Sequence, residues 1–527
     1  MLRKTVTILL TLALLLGALP GLSLAAEPNI VYHTLSLSTS DALAAQQWAL
    51  SNDGTFAMEE EKNRFPVFEN PFDAIPSAPG QWRMPGDFGR PGGRFARGFA
   101  ARSGRQAATT ATAGIDVGVE TAWAAYNGGE RDVVVALIDT GVDASHEDLQ
   151  NVLWTNPGEV AGNGVDDDGN GYIDDVHGWN FYDGNNKVSD GDSHGTHGAG
   201  TILANSDNGV GVSGILKGDR VKLMSLKALG GKDGSGTTES IIKAIEYAEA
   251  NGASICNLSL GSSLNDPALY RAIASSKMLF VVAAGNDGAD NDKTPCYPAS
   301  YDLDNILSVA NLNYDGALHS SSNYGAVSVD LAAPGSYILS TTPGNSYSYM
   351  TGTSMAAPMV TAAAAMLYSA DSSLSLADVK DVLLASARKL DSLTGSVLTG
   401  GMLDLGAAMT YDKSNLTHRT WTAQSTGSAP TITVEQTESR GRTVLTVTVT
   451  DPDGDATDLR YASGSLTAEQ FRQGVGSAVS LDTSGKVSFY TDGGTFTFYA
   501  ADRHGNETVK TVTLSSASRQ AGGSRGW

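Results

Sequence analysis

From Gly114 to Lys389, short apolar runs of strand length alternate with segments of helical spacing, and this alternation constrains the fold more than any other feature. Asp132 to Ile138, Ser254 to Leu260 and Met278 to Ala284 read as buried strands. Thr237 to Asn251 carries Ile241, Ile242, Ile245 and Ala248 at helical spacing, with Gly252 as its stop. Ser354 to Ala370 is rich in Ala and Met and reads as a buried helix with Pro358 in its first turn. Leu376 to Lys389 reads as a closing helix. Such a pattern predicts an α/β fold: a doubly wound, mostly parallel sheet covered on both faces. Sites in sheets of this kind form beyond the carboxyl ends of the strands, and Asp139 and Asn286 both stand at such ends.

A chain of 527 residues exceeds one ordinary core. Residues 413–430 read as a polar linker after an α/β domain over 114–412. Beyond it the period changes to two, in Thr443–Val449, Gly494–Ala500 and Thr508–Leu514, with a turn signal at Asp451-Pro452-Asp453-Gly454. A small all-β sandwich of immunoglobulin-like type is predicted over 431–515, then a disordered tail. At the other end, Arg3 and Lys4 precede an apolar stretch, Val6 to Leu16, that is too short for a comfortable membrane span. Small residues follow at Ser23-Leu24-Ala25, so residues 1–25 read as an export signal and the product as secreted, free or attached to the cell surface. Residues 26–113 read as a leader. Within it, Arg83, Arg90, Arg94, Arg97, Arg102 and Arg105 are spread among Gly, Pro and Phe, as in an exposed processing linker or an ordinary insert. The formal net charge of −22 argues against a nucleic-acid partner. With two cysteines there is no disulfide framework, and Cys256, in an apolar run, reads as a buried free thiol.

Four short strings occur in one order: Val135-Ala136-Leu137-Ile138-Asp139-Thr140-Gly141, His194-Gly195-Thr196-His197-Gly198, Ala283-Ala284-Gly285-Asn286 and Gly352-Thr353-Ser354-Met355-Ala356-Ala357-Pro358. They supply a carboxylate, an imidazole, an amide donor and a hydroxyl. A serine hydroxyl needs a base to become a nucleophile. Histidine is that base near neutral pH, and a buried carboxylate fixes its tautomer and stabilises its cation. Ser354 opens a helix, whose N-terminus favours charge developing on a carbonyl oxygen, and the Asn286 side chain can donate to the same oxygen. These are the parts of an acyl-transfer site. Separately, Asp166-Asp167-Asp168-Gly169-Asn170-Gly171-Tyr172 places oxygen ligands at alternate positions before a sharp turn, the opening of a calcium loop. Asp166, Asp168 and Asn170 would give side-chain oxygens and Tyr172 a carbonyl. The closing Glu is replaced by His177, so Asp174 or Asp175 would complete a structural Ca2+ shell.

On these motifs the stretch from Gly114 to Met409 resembles the subtilisin-like serine proteases, the subtilases. The resemblance implies a secreted endopeptidase acting through an acyl-enzyme on polypeptide substrates, monomeric and without a transmembrane span in its mature form. It implies Asp139, His194 and Ser354 as a triad, Asn286 as oxyanion donor and His197 as structural. It also implies that Gly234-Ser235-Gly236 and Ser259-Leu260-Gly261 flank an extended peptide held by strand addition. Cys296-Tyr297-Pro298-Ala299 resembles the floor of the pocket before the cut. The related sedolisins use Glu for the His and Asp for the Asn, so His194 and Asn286 argue against them. One departure stands out: no alternating pattern for a folded pro-domain precedes Gly114, and Gln46-Gln47-Trp48-Ala49-Leu50 resembles the first mature segment of some relatives. The alternative function is a binding protein that works through the β-sandwich, its protease domain vestigial.

Overall fold

In chain order the elements are β1 (Gln81–Arg83), α1 (Val119–Ala125), β2 (Val133–Asp139), α2 (His194–Leu203), β3 (Val221–Lys227), β4 (Leu229–Gly230), β5 (Ser235–Thr237), α3 (Thr238–Ala250), β6 (Ala253–Leu258), α4 (Pro267–Ser275), β7 (Leu279–Ala283), β8 (Ile306–Leu312), β9 (Leu331–Pro334), β10 (Ile338–Thr342), β11 (Ser346–Met350), α5 (Thr353–Ala370), α6 (Leu376–Ser386), β12 (Arg388–Lys389), β13 (Gly401–Met402) and α7 (Leu405–Met409). They come from a computed structural model that describes residues 37–56, 81–83, 110–231, 234–419, 421, 428–439, 442–452, 456–472, 475–479, 481, 485–491, 493–502 and 506–514. The expected export signal, the arginine-rich stretch from 84 to 105 and the tail from 516 lie outside the described residues.

Eight strands form one sheet in the order β12-β13-β9-β8-β7-β6-β2-β3. Its ladders are parallel except that between β12 and β13. The central strands are mostly apolar because both faces are covered. Val133, Val135 and Leu137 of β2 enter one core with Ala356, Val360 and Ala363 of α5. Ala136 and Ile138 enter the other with Ile241 and Ile245 of α3 and Leu269 and Ile273 of α4. Each fully buried Leu, Ile or Val contributes roughly 1.5–3 kcal/mol. From β2 the chain runs out to β3, then returns across β2 to β6, so the winding reverses at β2. Ligands favour the crevice beyond strand ends at such a reversal.

Local chemistry sets the helix ends. Thr237 and Ser240 cap α3 reciprocally, each side-chain oxygen accepting the other's backbone N–H at 3.1 and 3.0 Å. Of the predicted apolar face of α3, Ile242 is only half-buried, whereas Ile241, Ile245 and Ala248 are buried. Pro358 lies beyond the first turn of α5, because the helix starts at Thr353. Proline has no N–H for the Ser354 carbonyl one turn back. That carbonyl accepts the Ser259 hydroxyl at 3.1 Å instead. The closing helix α6 stops at Ser386, short of Lys389, because Arg388 and Lys389 pair with β13 at the sheet edge.

Residues 37–56, read from sequence as leader, pack into the first core. Trp48 is 1% exposed and donates through Nε1 to the Ser336 carbonyl at 3.0 Å. Gln47 exchanges two hydrogen bonds with the Ser213 backbone. At the other end, β14 (Thr431–Ser439), β15 (Arg442–Thr450) and β18 (Lys486–Thr491) form one antiparallel sheet. A second is built from β16 (Ala456–Ser463), β17 (Ser477–Ala478), β19 (Gly494–Asp502) and β20 (Glu507–Leu514). Leu445 and Val447 from the first share a core with Phe498 and Leu514 from the second.

Candidate active site

Asp139 is the last residue of β2 and His194 the first of α2, and both side chains are buried. Carboxylate oxygens only accept, so His194 Nδ1–H donates to Asp139 Oδ1 at 2.8 Å and Oδ2 at 3.0 Å. That assignment leaves Nε2 as the basic nitrogen. Burial pushes the His194 pKa down, but the charge of Asp139, its hydrogen bond and the nearby Asp192 and Asp190 outweigh it, and the net shift is upward.

The approach of β2 to α2 depends on Gly195. A Cβ there would collide with the Gly141 carbonyl oxygen and lie 3.2 Å from Asp139 Oδ1. Asp190, absent from the sequence reading, ties the same region together. Its Oδ1 accepts from Thr140 Oγ1, Asp192 N and Ser193 N at 3.0, 2.9 and 3.0 Å. Its Oδ2 accepts from Thr196 N and Oγ1 at 2.9 and 2.6 Å. Thr140 Oγ1 in turn accepts from Gly195 N at 3.0 Å. This hub holds Ser193 at a φ of +95°, a conformation that needs such support. Burial pushes Asp192, two residues before His194, up to about 6.

Ser354 follows Thr353 at the start of α5 and is buried. Gly198 in α2 and Pro358 in α5 are close neighbours, since a Cβ on Gly198 would lie 3.7 Å from Pro358 Cγ. His194 precedes Gly198 by one turn and Ser354 precedes Pro358 by one turn, so each side chain starts the turn of its helix that leads to this contact. Ser354 Oγ has no hydrogen-bond partner among the described residues. Asn286 lies just past β7. Its Oδ1 accepts from Thr353 N at 2.9 Å and Thr353 Oγ1 at 3.0 Å, so Nδ2 is the donor side of the amide. His197, one turn into α2, donates from Nε2 to the carbonyls of Ile338 and Ser348 at 2.9 and 3.2 Å, and burial pushes it down to about 4.

Gly234 precedes β5, Ser235 and Gly236 lie in it, and Ser259, Leu260 and Gly261 follow β6. Leu260 is fully buried and its side chain belongs to the second core. Ser259 is held by Asn257 Nδ2 at 3.0 Å and reaches the Ser354 carbonyl. The Cys296 sulfur sits where a Cβ on Gly261 or Gly285 would come within 2.9 or 3.2 Å, between the 259–261 segment and the end of β7. Both cysteines are free, and burial raises the Cys296 thiol to about 12, which disfavours its thiolate.

In the acidic loop, Glu159, Asp168 and Asp175 bring ligand oxygens within 4.8 Å of one another. Asn170 Nδ2 bridges Asp168 and Asp175 at 3.1 and 3.0 Å, and Asn156 Nδ2 does the same at 3.0 Å to each. Asp166 instead accepts from the backbone of Asn170 and Gly171 at 3.0 and 2.9 Å. The Tyr172 ring packs on Trp179, Phe181 and Tyr247. Glu159 was not legible as a partner of this loop; it lies outside the ligand spacing.

The sequence model described as the subtilase family matches residues 130–415. The chain belongs to the subtilase family. It is similar to the major intracellular serine protease of Bacillus subtilis, with 38% identity over 244 residues, 45% of this chain and 69% of that protein. It is 33% identical to thermitase of Thermoactinomyces vulgaris over 280 residues, 53% of this chain and 88% of thermitase. It is 35% identical to subtilisin-like protease 1 of Plasmodium vivax over 293 residues, 51% of this chain, and spans 46% of that protein. This subtilase is a serine-type endopeptidase, and its substrates are polypeptides.

Proposed function

We propose that this subtilase is a secreted endopeptidase in which Ser354 is the nucleophile, His194 the general base, Asp139 the residue that orients it, and Asn286 an oxyanion donor. The buried contact between His194 Nδ1 and Asp139 carries the reading. With Nδ1 engaged, Nε2 takes the proton of Ser354 as Oγ attacks the substrate carbonyl. The hydroxyl–imidazole hydrogen bond, not made among the described residues, forms when substrate enters, as catalytic hydrogen bonds commonly do. Charge on the carbonyl oxygen meets Asn286 Nδ2 and the N-terminal N–H groups of α5. His194 then protonates the leaving amine, and water releases the acyl group from Ser354 by the reverse of these steps. The substrate main chain adds to β5 opposite Ser259-Leu260-Gly261, with Cys296 at the pocket floor.

Glu159, Asp168 and Asp175 would hold a structural calcium ion. Three carboxylates this close repel one another without a cation, and hard oxygen donors suit Ca2+. Rotation of the Asn156 and Asn170 amides would turn their oxygens to the ion. Export rests on the signal read in residues 1–25; no described helix is long and apolar enough to cross a membrane. The decisive experiment is labelling with a fluorophosphonate probe, which attacks an activated serine. Labelling of the parent protein and none of Ser354→Ala is the expected result. Equal labelling of both, or none of the parent, would remove the assignment and favour the vestigial binding protein.

A further inference from the structure

Beyond this site, β5 carries a neighbour of its own. On one side it pairs with β4, Leu229 opposite Gly236 and Gly230 opposite Ser235. On the other it pairs antiparallel with β1, Gln81 opposite Thr237, Trp82 opposite Gly236 and Arg83 opposite Ser235. The three-stranded sheet is therefore complete with a segment of this chain on the edge where a peptide would add. We propose that Gln81–Arg83 is a built-in occupant of the substrate edge, pairing with β5 through its main chain as a substrate does and competing with extended peptides for it. This rests on β5 being the substrate strand.

The position of the segment in the chain makes this different from a removable leader. Upstream, residues 37–56 are docked: Leu43 N donates to the Gly211 carbonyl at 2.7 Å, and Trp48 is buried in the core. Downstream, Thr112 N donates to the Tyr314 carbonyl at 3.0 Å and Gly114 N to the Asn52 carbonyl at 2.7 Å. Gln81–Arg83 is thus tethered to the catalytic core on both sides. One cut anywhere in 57–80 or 84–109 still leaves it joined to a docked piece. A tethered competitor acts at an effective concentration of order millimolar whatever the protein concentration. Three residues of strand pair weakly, so the block is partial. Competition of this kind raises the apparent KM by the reciprocal of the open fraction and leaves kcat alone. A longer peptide that also engages the rest of the cleft displaces the segment.

The test compares the full chain, its integrity checked by mass, with a variant carrying Gln81→Pro, Trp82→Pro and Arg83→Pro. The prolines remove every main-chain donor whichever ones face β5. Replacing the same three residues by Ala keeps the donors and serves as control. Two substrates are used: a tetrapeptide amide long enough to lie along β5, and a single-residue ester that is not. The expected result is a KM for the tetrapeptide lower by about two- to tenfold in the proline variant, with unchanged kcat, unchanged ester kinetics and an Ala variant like the parent. An unchanged tetrapeptide KM would overturn the proposal, as would an equal fall for both substrates. So would a parent KM that drops on dilution of the enzyme, since that marks an occupant from another molecule. A tetrapeptide with no advantage over the ester in any variant would instead remove β5 as the substrate strand.

Discussion

Replacing Asp139 with Asn tests the base and its orienting carboxylate at once. The change keeps the shape of the side chain and removes its charge. Asp139 and His194 are each 2% exposed, so little water screens the pair. At about 4 Å between charge centres and an effective dielectric constant of about 20, the attraction lost on forming the imidazolium is about 4 kcal/mol, roughly three decades in rate. Asn adds a second loss. Its amide can donate to Nδ1, which moves the ring proton to Nε2, where it cannot accept from Ser354. Together these predict a fall in kcat of about 10⁴-fold, near 5 kcal/mol, with little change in KM. The pH profile reads the same contact independently. In the parent the His194 pKa lies above its ordinary 6.5, so kcat/KM should rise with pH through a midpoint above that value. In Asp139→Asn burial is opposed only by Asp190 and Asp192, and the midpoint should move to lower pH. Steady-state hydrolysis of a tetrapeptide amide from pH 5 to 9 measures both quantities. A loss below tenfold, or a midpoint that does not move, would refute the reasoning.

Asn286→Ala removes the proposed oxyanion donor and should cost about 10²- to 10³-fold in kcat with KM nearly unchanged; steady-state kinetics decide it, and a loss confined to KM would count against the role. Chelation should lower the melting temperature of the full chain, and added calcium should restore it. Asp175→Asn should abolish that response; an unchanged melting curve with and without chelator would remove the calcium assignment. His197, buried and pushed down to about 4, binds its proton more readily in the unfolded chain. Its contribution to stability therefore declines as pH falls from 6.5 to about 4, by about 3 kcal/mol across the window. His197→Gln keeps a donor for the Ile338 carbonyl and should flatten that part of the denaturation profile; a variant as acid-sensitive as the parent would contradict it.

The sheet was legible because its central strands are mostly apolar and its helices carry their own caps, as at Thr237 and Gly252. The four polar strings were legible because each falls at a strand end or helix start, where a side chain is free of its own element's packing. What escaped the sequence depends on contacts across the chain. Asp190 has no motif, and its role comes from reaching Thr140 at the end of β2. Glu159 joins Asp168 only through the fold of the loop, while Asp166, at a ligand position by spacing, is taken by the amides of Asn170 and Gly171. The docking of residues 37–56 rests on partners such as Ser213 and Ser336, far away in sequence. A strand of three residues at Gln81–Arg83, among Gly and Pro, carries no periodicity to read.

The same contrast explains why the candidate site is held so rigidly around one gap. Asp139, Thr140, Asp190, Gly195 and Thr196 are fixed to one another by short hydrogen bonds and by the close approach at Gly195. Thr353 anchors the Asn286 amide in the same way at the start of α5. Next to Thr353 in the chain, Ser354 Oγ is left without a bond among the described residues. A nucleophile held by its own strong partner would have to break that bond before attack. In the proposed mechanism this buried hydroxyl, with His194 as base, Asn286 as oxyanion donor and the helix N-terminus beside it, needs only the substrate carbonyl to complete the set, and a prearranged set of this kind is where the rate of an acyl-transfer enzyme originates.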